Sequence, residues 1–291
     1  MKFFRNPRWQ LIASMVVYGT IGLCVRAVDL PAAEIALYRS IAATLLIGLF
    51  LILTKKAIRF SEIKKSLPLL LLSGAAMGFN WIFLFEAYEY TTVSVATLSY
   101  YFAPVLVTVL CPLLFHEKMG MRQWICFVMS TLGLVLITVS ADGTAGTNPL
   151  LGILLGLCAA CLYATVILVN KAIRGIDGIQ RTFLQFVAAV IVLIPYVLFT
   201  GGFHLTSLDG KGLGFLILIG VVHTGLTYCM YFSSLGELPG QQVAILSYID
   251  PLVAVLCSIL ILREPLTPLQ AIGGLLILGF TLWNELAPKK K

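Results

Sequence analysis

The chain has 291 residues, of which 59% are apolar and only 11% charged, where soluble globular domains carry about 45–50% and ~25%. That balance excludes a soluble enzyme. Apolar runs of about 20 residues, such as Leu67 to Phe85 and Gln123 to Val139, match a hydrocarbon core of ~30 Å crossed at ~1.5 Å per residue, and they lack the alternation of a membrane β-barrel.

Taken in chain order, the predicted spans are 9–28, 33–54, 66–87, 92–114, 122–140, 149–170, 180–200, 211–232, 241–262 and 267–286. The first follows Lys2, Arg5 and Arg8. Its apolar stretch outruns a signal-peptide core and has no small-x-small exit before Arg26, so it reads as a mature helix. The connections are short, which leaves no room for an appended soluble domain. All seven cysteines fall inside spans and are expected as buried free thiols. Cys158-x-x-Cys161 lacks the partner His or second pair that a metal site requires.

With the N-terminus inside, sixteen of the twenty basic residues fall on one side: Lys2, Arg5, Arg8, Lys55, Lys56, Arg59, Lys64, Lys65, Lys118, Arg122, Lys171, Arg174, Arg181, Lys289, Lys290 and Lys291. This asymmetry over short loops predicts both termini in the cytoplasm and an even number of spans. The net charge of +7 is then an orientation and headgroup signal, and no nucleic-acid partner is implied.

Polar groups inside spans are costly and tend to face a cavity or one another. Arg39 in span two and Glu86 in span three lie at similar depth and are expected to form a structural ion pair or an outer gate. Arg26 and Lys171 lie near opposite faces, where long stems snorkel. Asn80 and Trp81 in span three supply an amide and an aromatic wall. In span four, Tyr100 and Tyr101 precede Pro104, and in span nine, Ser247, Tyr248 and Asp250 precede Pro251. A proline ring there removes a backbone hydrogen bond and frees a carbonyl one turn earlier. In span eight, His223 is followed by Thr227 and Tyr228. His223 and Asp250 are the candidates for proton coupling. Gly152-x-x-x-Gly156 suits close helix approach.

The chain also repeats itself. Val95-Ala96-Thr97-Leu98-Ser99-Tyr100 with Pro104 matches Val243-Ala244-Ile245-Leu246-Ser247-Tyr248 with Pro251. Tyr18, Thr20, Arg26 and Ala27 match Tyr163, Thr165, Lys171 and Ala172, and Glu117 matches Glu264. Each copy carries five spans, an odd number, so the copies are inverted, which is the architecture of secondary transporters. Glu117 and Glu264 sit at span ends, where they are expected to bind nearby amides or basic groups.

The run Arg263-Glu264-Pro265-Leu266-Thr267-Pro268-Leu269-Gln270 to Gly279, with its degenerate first copy His116-Glu117-Lys118 to Gly133, resembles the EamA-type branch of the drug/metabolite transporter superfamily. The resemblance implies an all-α membrane protein of ten transmembrane helices, arranged as two inverted five-helix repeats over residues 9–140 and 149–286. It also implies a cavity lined mainly by spans 1, 3, 4, 6, 8 and 9, and a small metabolite as cargo. The function expected is secondary active transport of an amino acid or organic amine by alternating access, with proton coupling and export favoured. A carrier of sugar-type or lipid-linked substrates and a channel-like facilitator of the same fold are the alternatives. The expected substrate pathway is Asn80, Trp81, Tyr100, Tyr101, Thr227, Tyr228, Ser247, Tyr248 and Asp250. No Walker, G-x-S-x-G or H-E-x-x-H motif is present, so neither ATP-driven transport nor catalysis is expected. No metal or cofactor is expected either. The partners are the cargo, the bilayer and protons, in a cell-membrane monomer or homodimer.

Overall fold

The computed structural model describes residues 6–54, 60–115, 119–141, 145–173, 175–235, 237–238 and 240–286. Lys2, Arg5, Lys55, Lys56, Arg59, His116, Glu117, Lys118, Arg174, Lys289, Lys290 and Lys291 lie outside the described residues. Every regular element among the described residues is helical: α1 Pro7–Gly19, α2 Ile21–Val25, α3 Ala32–Leu53, α4 Phe60–Tyr90, α5 Val93–Tyr100, α6 Ala103–Phe115 and α7 Met121–Val139 in the first half. The second half comprises α8 Pro149–Ala172, α9 Gly178–Thr200, α10 Gly210–Leu218, α11 Thr227–Leu235, α12 Gly240–Ser247, α13 Ile249–Leu260 and α14 Pro268–Glu285. A short 3₁₀ turn, Leu205–Ser207, precedes α10, and a π-helical segment, Ile219–Leu226, joins α10 to α11.

Local chemistry sets the helix starts. Asn6 accepts from Arg8 N at 3.0 Å ahead of Pro7, Asn148 accepts from Leu151 N at 3.2 Å ahead of Pro149, and Thr92 accepts from Val95 N at 3.2 Å. Thr267 and Gln270 cap each other's backbone ahead of α14, with Pro268 in the first turn. These side chains satisfy N–H groups that a helix start leaves open, and proline costs nothing there because its missing N–H would have been unpaired.

Eight helical stretches are long and apolar enough to cross a membrane: 7–25, 32–53, 63–90, 93–110, 121–139, 149–172, 178–200 and 210–234. Ile245–Leu260 is shorter. The last two of the ten expected spans fall below that standard for stated reasons. The ninth, Ile245–Leu260, runs through the break at Tyr248 and is too short, and α14 holds Gln270, Asn284 and Glu285 within its 18 residues. Large side chains such as Leu49, Ile52, Val128, Val135, Ile191, Phe199, Leu256 and Leu275 are exposed around the outside of the bundle. So much outward apolar surface requires hydrocarbon as its solvent, and the chain is a multi-pass membrane protein.

Helix contacts recur with the two halves exchanged. α4 packs on α8 as α1 packs on α11; α4 on α9 as α3 on the π-helical segment; α5 on α8 as α1 on α13. α7 and α14, equivalent elements of the two copies, pack on each other. Glycines make the closest seams: a Cβ on Gly133 would lie 2.5 Å from Gly273 O, and one on Gly273 would lie 2.5 Å from Gly133 O. Gly152 and Gly156 face Thr91 and the α5 residues Ala96 and Ser99, so that spacing serves packing inside the bundle.

Candidate functional site

Three helices are interrupted near one level of the bundle: at Thr20 between α1 and α2, at Tyr101 and Phe102 between α5 and α6, and at Tyr248 between α12 and α13. Around them lie two cavities. A central cavity of about 160 Å³ is lined by Tyr18, Arg39, Asn80, Trp81, Tyr88, Thr97, Tyr228 and Ala254 among others. A vestibule of about 310 Å³ is lined by Pro104, Thr108, Ile167, Ser247, Tyr248 and Glu285 among others. It reaches Glu285, exposed in the last turn of α14. The face of the bundle where α1 begins and α14 ends is called the terminal face below, and the opposite one the junction face. Tyr100, Tyr101, Tyr163 and Asp250 line both cavities.

Arg39 is buried, with 5% of its surface exposed. Its guanidinium lies 4.2 Å from the centroid of Trp81 and 5.8 Å from that of Phe85. Trp81 in turn stacks on Phe186 at 5.4 Å. Tyr18, Tyr88, Tyr100 and Tyr228 line the same cavity as Arg39, and the Arg39 Nε has no hydrogen-bond partner among the described residues. The expected Arg39–Glu86 ion pair is not formed, whereas Arg26 pairs with Glu264 and His204 with Glu34. Trp81 and Phe85 are one turn apart on the face of α4 that meets Arg39, and position 86 is turned a further ~100° around the axis. A planar cation over aromatic faces is attracted by the ring quadrupole without a carboxylate.

Asp250, in the first turn of α13, accepts from the Tyr101 hydroxyl at 2.5 Å. Asn80 donates to Ala159 O at 2.6 Å, tying α4 to α8 while lining the central cavity. Tyr228 lines the same cavity and packs edge-on against Tyr18 at 5.5 Å and Phe186 at 5.3 Å. Ser247 and Tyr248 belong to the vestibule, and the Ser247 hydroxyl is taken by Val243 O at 2.8 Å. The structure thus gathers Arg39, Asn80, Trp81, Tyr100, Tyr101, Tyr228, Ser247, Tyr248 and Asp250 around the two cavities.

His223 and Thr227 lie apart from both linings. The Thr227 hydroxyl donates to Val222 O at 2.6 Å, inside the widened π turn. His223 Nε2 meets Thr20 Oγ1 at 3.0 Å and Cys24 Sγ at 3.8 Å, so its partners are at the α1–α2 break and not at Asp250. Cys158 and Cys161 are exposed on α8, whereas Cys24, Cys126 and Cys257 are buried. No metal-binding cluster occurs among the described residues.

The junction face is closed by two tethers. Glu264 accepts from Val93 N at 2.9 Å and from Ser258 Oγ at 2.5 Å, and it pairs with Arg26 at 2.9 Å; Arg26 also donates to Thr91 O at 2.7 Å. Arg26 is therefore bound across the bundle and does not snorkel, because Glu264 comes within its reach from the other half. Glu34 accepts from His204 N at 2.9 Å and lies 2.6 Å from His204 Nδ1. Of the cavity walls, the sequence reading missed Tyr18, Tyr88, Thr97 and Glu285. Tyr18 and Tyr163, matched by the repeat, both prove to line a cavity, so the repeat held the signal for that pair.

The sequence matches the EamA-like transporter family over residues 9–139 and again over 150–284. It is 32% identical over 248 residues to a Bacillus subtilis (strain 168) protein named uncharacterized transporter YxxF, covering 84% of this chain and 78% of the relative. It is 28% identical over 295 residues to an uncharacterized transporter of Archaeoglobus fulgidus, covering 98% and 100% of the two chains. A crystal structure aligns over 94% of this chain and 95% of its own with a TM-score of 0.64 and 15% identity, a likeness of fold alone. With two family matches spanning nearly its whole length, the chain belongs to the EamA-like transporter family.

Proposed function

We propose that the chain is a secondary active carrier of a small dipolar metabolite, an amino acid or organic amine, exported by alternating access between two inverted five-helix halves. The observation that carries this reading is the central cavity's pair of unlike charges. Arg39 and Asp250 both line it, and neither makes an ion pair among the described residues. A cargo with an ammonium for Asp250 and a carboxylate for Arg39 satisfies both groups at once, and the surrounding phenol and indole faces favour the ammonium further. The exchange of helix contacts between halves supports a rocking motion. The vestibule toward the terminal face and the tethers across the junction face correspond to one end state of such a cycle.

The asymmetry of basic residues supports a cell-membrane protein with both termini cytoplasmic and ten membrane-crossing helices. Energy comes from the cargo gradient or from protons titrating Asp250, and the protein acts as a carrier without catalysis or cofactor.

A thermal-shift panel on the purified protein tests the cargo class, because a ligand of the folded state raises its unfolding temperature by mass action. Zwitterionic amino acids are expected to raise it most and primary amines less. A rise confined to sugars or nucleosides overturns the reading.

A further inference from the structure

The central cavity and the vestibule share a partition of three tyrosines and one acid: Tyr100, Tyr101, Tyr163 and Asp250. Its rings lean on one another, with Tyr100 tilted against Tyr163 at 5.4 Å and edge-on to Tyr101 at 5.8 Å. Among the described residues, one hydrogen bond pins these rings across the two halves: the Tyr101 hydroxyl to Asp250 Oδ2 at 2.5 Å. Both ends of that bond sit at helix interruptions, Tyr101 between α5 and α6 and Asp250 two residues beyond Tyr248. The bond can therefore open by a swing at two existing breaks, without melting a regular helical turn.

Among the described residues, the ionisable groups of the vestibule are Asp250, Glu285 and phenols, and no Lys, Arg or His contributes to its lining. Such a chamber concentrates cations. The acid that an ammonium would seek, however, is already held by a phenol. A hydroxyl and an ammonium compete for the same carboxylate oxygen as donors, and the charged donor makes the stronger bond.

We propose that Tyr101 is the gate between vestibule and central cavity. Its hydroxyl holds the partition shut on Asp250, and a cargo ammonium opens it by taking that carboxylate oxygen. Tyr101 is thus a specificity-determining residue: a neutral molecule of the same shape leaves the bond in place. The proposal rests on the cavities being a path for an amine-bearing cargo.

The test reads passage through the partition directly and needs no transport. Ala254, which lines the central cavity but not the vestibule, is replaced by cysteine in the full chain with its seven native cysteines changed to serine. Alkylation by iodoacetamide is then followed in detergent micelles. With Tyr101 present, alkylation is expected to be slow, faster with phenethylammonium and unchanged by 2-phenylethanol. Tyr101→Phe is expected to alkylate about tenfold faster without any amine, as for loss of one charge-assisted hydrogen bond. Asp250→Asn keeps an acceptor for the phenol but no charge for the amine, so its rate is expected to ignore phenethylammonium. Tyr196→Phe, which removes a hydroxyl that lines neither cavity, is expected to leave the rate unchanged.

Equal rates in Tyr101→Phe and the parent overturn the proposal, as does equal acceleration by phenethylammonium and 2-phenylethanol, or by Tyr196→Phe. A thermal-shift panel without amino-acid binding, alongside a partition that opens as described, would count against the cargo reading and leave the gate standing.

Discussion

Glu264 is the best place to ask what holds the junction face together. Its carboxylate takes the Val93 N–H and the Ser258 hydroxyl at 2.9 and 2.5 Å and pairs with Arg26 at 2.9 Å. The glutamate side chain is 10% exposed and the arginine 32%. Hydrogen bonds to a charged acceptor contribute about 1.5–3 kcal/mol each, while an ion pair with a third of one partner in solvent adds no more than about 1 kcal/mol. Glu264→Ala should therefore cost about 3–5 kcal/mol, because it leaves the first N–H of α5 without its acceptor. Glu264→Gln keeps an oxygen for Val93 N and should cost about 1–2 kcal/mol. Arg26→Ala, which loses the exposed pair and the bond to Thr91 O, should cost a similar ~1–2 kcal/mol. Unfolding by SDS in mixed micelles, followed by tryptophan emission, measures all three. If Arg26→Ala costs as much as Glu264→Ala, the ion pair dominates and the reasoning from the backbone amide is wrong.

Two further predictions concern packing and cargo. Gly273→Ala places a methyl 2.5 Å from Gly133 O, a backbone atom that cannot turn aside, so the α7–α14 seam must part at about 1–3 kcal/mol. Gly279→Ala in the same helix meets nothing within 4 Å and should be neutral or slightly stabilising in the same unfolding assay. Asp250→Asn should weaken exchange of zwitterionic amino acids in proteoliposomes at least about tenfold, equivalent to ~1.4 kcal/mol, and wild-type exchange by this variant would remove Asp250 from the pathway.

The features legible in the sequence rest on periodicity and on chemistry local in the chain. Span positions follow from apolar length, and the capping of α14 follows from Thr267-Pro268-x-Gln270, because both are properties of consecutive residues. Asp250 stood out for the same reason, as a charge beside a proline inside an apolar run. The partner of Arg39 did not, since depth alone suggested Glu86, and only the rotation of α4 shows that Trp81 and Phe85 face the arginine instead. The binding of Arg26 by Glu264 joins residues from the two copies, a pairing that no local pattern encodes. His223 looked like a relay because it lies at mid-span, but its ring is committed to Thr20, and a helical wheel drawn at 3.6 residues per turn fails in a segment that is not α-helical.

That segment, Ile219–Leu226, has a consequence for how the chain tolerates change. Thr224 and Thr227 send their hydroxyls five residues back, to Ile219 O and Val222 O, filling the wide turn that one surplus residue creates. Gly220 and Gly225 sit directly against Ala42 and Leu46 of α3. Deleting a single residue here would let α10 and α11 run on as one ordinary α-helix, and everything beyond would then swivel by ~100° and slide ~1.5 Å. Tyr228 and Tyr231 would swing away from Tyr18, which they now touch edge-on, and the aromatic lining would be dismantled from a distance. A one-residue deletion in this stretch should thus be far more damaging to binding than most substitutions within it, even though it would make the helix more regular.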